Sequence, residues 1–415
     1  MIQANKEALL KNSDTFCIFP WLHFMVTPPG DVYPCCASVS APALGQVDSD
    51  STFETLINND KFKQLRKDMI SGIKNDTCQL CYDFERYGHS WRHWGNENFG
   101  HRIDEVIDNT EEDGTVNNFK MRYYDIRFNN ICNFKCRTCG PDYSTLWAQE
   151  EGLKDKIYNL TKTTKVLDEF LSHIDDVEFV YFAGGEPMIT EDHYIILEEL
   201  IRKGKTNIKL RYNTNCSVLN YKDKSVLDLW KNFKHIEVGA SIDHIKDRAE
   251  YIRHGTDWGV IETNLKKFQQ LENVELMVNT VLSVFNYVTL ADVYGYLIKN
   301  NILKTDSWHF SLITTPTPAY FASTTLPTEF KELGRLNNTN LVNQMSSMGY
   351  TSQLNLINSA IQFTDSVDNW DKYGPQFIDH VTRKDDVRGE SFKKTFPELA
   401  SMLDWKSETI WIKTA

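Results

Sequence analysis

The chain has no stretch approaching roughly 18 consecutive apolar residues, so it offers no candidate membrane-spanning helix. Its first residues, MIQANKEALLKNSDTF, lack the apolar centre of a secretory signal, and the protein is expected in the cytoplasm, away from membranes. It has no internal repeat and no low-complexity tract, so neither a solenoid nor a disordered scaffold is expected. It also lacks a net positive charge. A net charge of -12 and a pI near 5.4 argue against broad, charge-driven binding to nucleic acid or anionic lipid. Lys162, Lys165, Lys203, Lys205 and Lys209 read as scattered, solvated groups. What is present is enough to fold: 415 residues, 41% of them hydrophobic and 12% aromatic, can build two or three cores.

Nine cysteines in a cytoplasmic chain point to metal ligation or catalysis rather than to a disulfide framework. Eight fall in the first third of the chain, at Cys17, Cys35, Cys36, Cys78, Cys81, Cys132, Cys136 and Cys139, and only Cys216 stands apart. Residues 129–141, NNICNFKCRTCGP, place Cys132, Cys136 and Cys139 in the pattern C-x-x-x-C-x-x-C. Three thiols are one short of a closed site, because a structural zinc or a plain electron-transfer cluster takes four protein ligands. Between the two groups lies DEVIDNTEEDGTVNNF (104–119), which reads as a connection between modules.

From residue 121 onward, short apolar or alternating runs recur at 122–128, 177–183, 207–213, 235–241, 274–281 and 307–313. Helix-period segments such as 191–203 and 290–299 separate them. The economical reading is six parallel strands joined by helical crossovers, as an incomplete barrel or a strongly curved open sheet. Both arrangements place functional groups at the carboxyl ends of strands. There the sequence has the cysteine triplet, then Gly184-Gly185-Glu186-Pro187, then NTNC (213–216), then SIDH (241–244).

A cluster held by three thiolates leaves one iron open to a small molecule that chelates through an amine and a carboxylate. Glu186, after two glycines that let backbone come close and before a proline that fixes the turn, suits the amine. Arg253 or Ser241 suits the carboxylate, and Asn213, Ser241 or Asp243 suits ribose hydroxyls. Asp243 is also placed to cap the helix that follows it.

The triplet, GGEP, NTN and SID, in that order, resemble the radical S-adenosylmethionine (radical SAM) superfamily over roughly residues 120–315. The resemblance implies an α/β fold, a partial (β/α)6 barrel of the triosephosphate-isomerase type. It also implies a 4Fe-4S cluster on Cys132, Cys136 and Cys139, with S-adenosylmethionine in the fourth place. The implied chemistry is electron transfer from the cluster, carbon–sulfur homolysis, and a 5'-deoxyadenosyl radical that takes hydrogen from substrate. Many members have an aromatic residue just before the third cysteine, where this chain has Thr138.

Upstream, Cys17, Gly30, Cys35 and the C-x-x-C pair Cys78 and Cys81 supply two distant thiols and two close ones, enough to close a tetrahedral site for zinc or a second cluster. Cys36 competes with Cys35. The spacing resembles the SPASM auxiliary-cluster module, or its shorter Twitch form. Cysteines of the longer form are absent after Cys81, and the module precedes the barrel instead of following it. Trp21, Trp91, Trp94, Phe84 and Tyr87 read as packing, and His89, His93 and His101 as surface or substrate-facing groups. Past the sixth strand, TTPTPAYFAS reads as a loop at the barrel mouth, with a helix beginning at Pro327. The mostly helical end, in which Arg388 and Pro397 carry a further resemblance to Twitch-bearing enzymes, is expected to dock on the rest.

The expected division is 1–115 for the auxiliary module, 116–328 for the barrel and 329–415 for the helical end. Asp125 and Arg127 lie on a polar strand face and read as an internal ion pair or a substrate pocket. Cys216 reads as a small buried residue or a radical relay. The family resemblance implies a peptide or protein side chain as substrate and an external reductase of flavodoxin or ferredoxin type. A small polar metabolite such as a sugar or nucleotide is the second reading, and a zinc-stabilised, non-catalytic binding protein the third.

Overall fold

Tyr123–Ile126, YYDI, is buried at every position, and so is Phe179–Phe182, FVYF, as expected of strands covered on both faces. The computed structural model describes residues 5–85, 90–303, 309–313, 318–349 and 354–404. Nine strands form its main sheet: β1 Met25–Val26, β2 Asp31–Tyr33, β3 Gly45–Gln46, β4 Tyr123–Ile126, β5 Phe179–Phe182, β6 Lys209–Thr214, β7 His235–Ser241, β8 Val274–Val281 and β9 His309–Ile313. Their order is β9-β8-β7-β6-β5-β4-β1-β2-β3. Strands β4 to β9 are the six read from the sequence, with ends shifted by a few residues at most. β4 pairs in parallel with β5, β5 with β6, and β8 with β9. Helices Glu191–Arg202 and Leu290–Lys299 supply two of the crossovers. The domain is a partial (β/α)6 barrel with a cysteine-rich segment before it and helices after it.

The cysteine-rich segment is joined to the barrel by backbone pairing. β1 lies parallel to β4, with Met25 opposite Asp125, and β2 and β3 continue the sheet antiparallel. Segment 104–119, read as a connection, is folded instead: Ile103–Asp108 is helical, Val106 and Ile107 are buried, and Thr110 bridges Val116. The apolar pair inside a charged run is what draws it onto the core.

Two compact units describe the chain. The first contains residues 1–132, 153–212 and 220–236. The second contains 133–152, 213–219 and 237–415. In the first, the fully buried guanidinium of Arg66 ties three segments together, donating to the carbonyls of Pro20 (2.9 Å), Ile57 (2.8 Å) and Gly114 (2.7 Å). In the second, the helical end runs through Thr328–Ser347, Leu354–Asp365 and Trp370–Arg388, and Pro327 stands at the N-cap of the first helix as read. Of the loop at the barrel mouth, 314–317 lie outside the described residues; 319–325 form two tight turns in which Phe321, Ser323, Thr324 and Thr325 are buried.

Arg66→Met strands three buried carbonyls and is expected to lower stability by about 3 kcal/mol. Urea unfolding should show a lower midpoint at unchanged slope.

Candidate metal centres

In the first unit, four thiols converge from three stretches of chain. Gly30 makes this possible. It closes the β1–β2 hairpin with φ +98°, its N–H on the Thr27 carbonyl (2.8 Å), and a Cβ there would sit 2.6 Å from the Gln46 amide. The hairpin brings Cys35 back beside Cys17, and Cys78 and Cys81 arrive on a tight turn and the helix Gln79–Phe84. Cys17, Cys35, Cys78 and Cys81 are all within electrostatic range of one another. Burial, and then the neighbouring thiols, push Cys17 and Cys35 well above the ordinary range, and Cys78 up to about 12.

Cys36 adjoins this group, with Cys81 in range, and has other charged neighbours as well. Cys35 is fully extended (φ -171°, ψ 172°), so adjacent side chains diverge. Burial raises Cys36 to about 12, and its strongest charged neighbours are then Asp125 and Arg127. The sequence reading missed Arg92. It is buried, pairs with both oxygens of Glu85 (2.8 and 2.7 Å), and lies in range of Cys17 and Cys81, where it offsets thiolate charge. The nearby histidines are not ligands here: His93 closes a capping box with Ser90, and the exposed His101 meets Glu178 at 3.0 Å. His89 and Tyr87 lie outside the described residues. Trp91 and Trp94 stack at 4.7 Å as packing groups.

Also in the first unit, the GGEP turn is pressed against the loop that carries Cys132. Glu186 N–H donates to the Ile131 carbonyl at 2.7 Å. A Cβ on Gly185 would lie 2.2 Å from that same oxygen, and Gly184 has φ +101°. Pro187 opens the short turn Pro187–Ile189, and the Glu186 carboxylate accepts from Met188 N–H at 3.2 Å. Glu186 is 2% exposed. A small cleft between Ile126, Phe128, Ala183, Glu186, Thr190 and Asp192 adjoins it.

The second unit holds Cys136 and Cys139, with Cys139 N–H on the Cys136 carbonyl at 3.2 Å. Burial pushes Cys136 up to about 12, against the pull of Arg253. Arg253 reaches the Cys136 sulfur at 3.9 Å through Nη1, while its Nε pairs with Asp243 at 2.8 Å. Asp243 is fully buried and accepts from Val281 N–H (2.8 Å). It does not cap the next helix, Lys246–Ile252, whose N-cap is Ile245 with no side-chain bond; the backbone turn puts Ile245, not Asp243, at that junction. Asn213 accepts from Asn279 (2.8 Å), and Ser241 is half-buried at the end of β7. Cys216 is fully buried at φ +60°, its thiol 3.6 Å from the Thr214 carbonyl. Arg388 pairs with Glu150 at 2.9 Å on the helix after the cysteine loop; despite burial, Arg388, Lys135 and Lys384 hold that carboxyl far below its usual range.

Asp125 and Arg127, in the first unit, form the ion pair (2.7 and 3.1 Å), with the Arg127 guanidinium 5.6 Å from the Tyr181 ring centre.

The first unit therefore gathers four thiols, Cys17, Cys35, Cys78 and Cys81, and the second holds Cys136 and Cys139 side by side. A soft, all-thiolate donor set suits iron–sulfur clusters. A model of the radical SAM superfamily matches residues 126–295, and one of an iron-sulfur cluster-binding domain, SPASM, matches 17–82. The chain carries a radical SAM domain and a SPASM iron-sulfur domain. Its cofactors are a SAM-binding 4Fe-4S cluster, S-adenosylmethionine and an auxiliary cluster. It is 23% identical over 180 residues to a GTP 3',8-cyclase of Mannheimia succiniciproducens, covering 42% of this chain and 50% of that protein. It is 26% identical over 161 residues to molybdenum cofactor biosynthesis protein 1 of Dictyostelium discoideum, covering 39% of this chain and 24% of that one. The matches thus span half or less of these curated relatives. The structure of Streptococcus suis SuiB bound to S-adenosylmethionine superposes with a TM-score of 0.37 at 15% identity, covering 64% of this chain and 57% of SuiB. Similarity at that level leaves the site to be argued from this chain's own residues.

The Gly185 contact gives a direct test. In Gly185→Ala the added Cβ must push the GGEP turn off Ile131, and S-adenosylmethionine binding should weaken at least about tenfold by calorimetry. The auxiliary set should retain its iron.

Proposed function

We propose that this protein is a radical SAM enzyme that abstracts hydrogen from a peptide or protein side chain, with residues 1–115, 116–328 and 329–415 serving as auxiliary module, catalytic barrel and buttress. Cys132, Cys136 and Cys139 hold the open cluster, and Cys17, Cys35, Cys78 and Cys81 hold the closed one. Bound there, the open cluster and S-adenosylmethionine supply reductive cleavage and a 5'-deoxyadenosyl radical. The protein's own groups place and shield. Glu186 accepts the cofactor's amine, Gly184, Gly185 and Pro187 shape the turn that presents it, and Asn213 and Ser241 face its ribose and carboxylate. Asp243 acts by fixing Arg253. An external reductase of flavodoxin or ferredoxin type delivers the electron, consistent with a cytoplasmic setting; among the described residues no helix is long and apolar enough to cross a membrane.

The observation that supports the substrate class is the Asp125–Arg127 pair on β4: Arg127 binds Asp125 through Nε and Nη2, which leaves Nη1 to donate to a peptide carbonyl oxygen. The presence of a SPASM module supports the same reading by association.

Two experiments test this proposal. Replacing Cys132, Cys136 and Cys139 together by Ala should abolish 5'-deoxyadenosine formation in the anaerobically reconstituted protein and leave about four irons per chain. The remaining cluster, having no open iron, should give an electron paramagnetic resonance spectrum that ignores S-adenosylmethionine. Separately, GTP should not stimulate 5'-deoxyadenosine formation, whereas members of a peptide library should. Stimulation by GTP of about tenfold would establish the metabolite reading instead.

A further inference from the structure

Arg253 was expected at the cofactor's carboxylate, but the structure gives it a different neighbour. Residues Lys135–Cys136 and Arg253–His254 form a two-stranded antiparallel ladder in which Arg253 stands opposite Cys136 and His254 opposite Lys135. Arg137 N–H extends the ladder by donating to the Ile252 carbonyl at 2.7 Å. The loop that must hold the cluster is thus zipped, residue by residue, to the strand that carries Arg253.

Both flanks of the ladder are locked. The Arg137 guanidinium is fully buried, 3.8 Å from the Tyr251 ring centre, and pairs with Asp385 (2.6 Å) and Glu390 (2.5 Å) of the helical end. His254 Nδ1 meets the other oxygen of Glu390 at 2.6 Å, and Tyr251 donates to Asp385 at 2.7 Å. On the far side, Gly255 (φ +109°) leaves no room for a Cβ against the Asn133 carbonyl and the Phe134 ring, each 3.0 Å away. Within this frame the Arg253 side chain has two partners. Asp243, immobilised by Val281 N–H, holds Nε at 2.8 Å, and Nη1 is left 3.9 Å from the Cys136 sulfur.

We propose that Arg253 is a positioning residue for the barrel cluster: held by Asp243, it donates to the Cys136 thiolate and raises the cluster's reduction potential. Reduction adds one electron to the cluster from the external flavodoxin- or ferredoxin-type protein. A hydrogen-bond donor and a positive charge at a ligating sulfur stabilise the more negative, reduced state, so the electron is accepted at a higher potential. Asp243 offsets part of the charge and fixes the direction of the donor. The proposal rests on Cys136 being a cluster ligand, and that premise has its own control: Cys136→Ala must lose iron.

The test is a redox titration of the reconstituted full-length protein, followed by electron paramagnetic resonance. The barrel cluster is the signal that changes when S-adenosylmethionine is added, and the auxiliary cluster serves as an internal reference. Arg253→Gln should keep both clusters, shift the barrel cluster's midpoint to lower potential and leave the auxiliary midpoint where it was. A midpoint that is unchanged or higher overturns the proposal, and does so even if S-adenosylmethionine binding weakens about tenfold, since that pair of results makes Arg253 a carboxylate donor alone. Should Arg253→Gln fail to retain iron, Arg253→Lys decides. Its single ammonium keeps the charge but cannot span both Asp243 and the sulfur as the guanidinium fork does, so the midpoint should again fall, and an unchanged midpoint overturns the assignment.

Discussion

The hydrogen bond from Glu186 N–H to the Ile131 carbonyl constrains everything else at this site. It forms at 2.7 Å only because position 185 has no Cβ; an alanine there would place a carbon 2.2 Å from the same oxygen. Through it, the turn that presents a buried carboxylate is pinned to the residue just before Cys132. The loop that carries Cys132 and the GGEP turn thereby share one backbone contact, and neither moves without the other. Gly184 and Pro187 set the entry and exit of the turn by their backbone angles alone.

The thiols themselves cannot organise the sites. Burial raises the pKa of these thiols, which keeps them protonated at neutral pH, and neutral thiols repel one another less than thiolates would. Metal binding then releases protons and is coupled to the fold around it. The surroundings are prepared for that change of charge. Arg92 stands by Cys17 and Cys81, and Arg253 by Cys136, each kept in place by a carboxylate that is itself held. The helical end contributes through Asp385 and Glu390, which lie more than two hundred residues beyond the loop they brace.

Much of this was legible in the sequence. Short apolar or alternating runs marked the six barrel strands, and the continuous ones, such as 179–182, are what a strand covered on both faces requires. The residues at their carboxyl ends marked the site, because ligating groups have few other places in a parallel sheet. Gly30 was named in the sequence only for its spacing between Cys17 and Cys35, and the structure supplied its reason, a φ of +98° at the hairpin. Segment 104–119 misled: its acidic composition resembles a linker, but the adjacent apolar pair Val106 and Ile107 outweighs that charge once a core is there to receive it.

By itself the sequence determined which atoms are available: two sets of thiols, one carboxylate behind two glycines, and a barrel to carry them. The tertiary structure decided which of those atoms meet. Cys35 and Cys36 are chemically identical neighbours, and only the folded chain gives Cys35 the company of Cys17, Cys78 and Cys81 while Asp125 and Arg127 are the strongest charged neighbours of Cys36. Arg253 is one basic residue among 45, and only the antiparallel register opposite Cys136 brings its guanidinium to a sulfur. Distances of this kind depend on chain segments far apart in sequence, and local propensity carries no record of them.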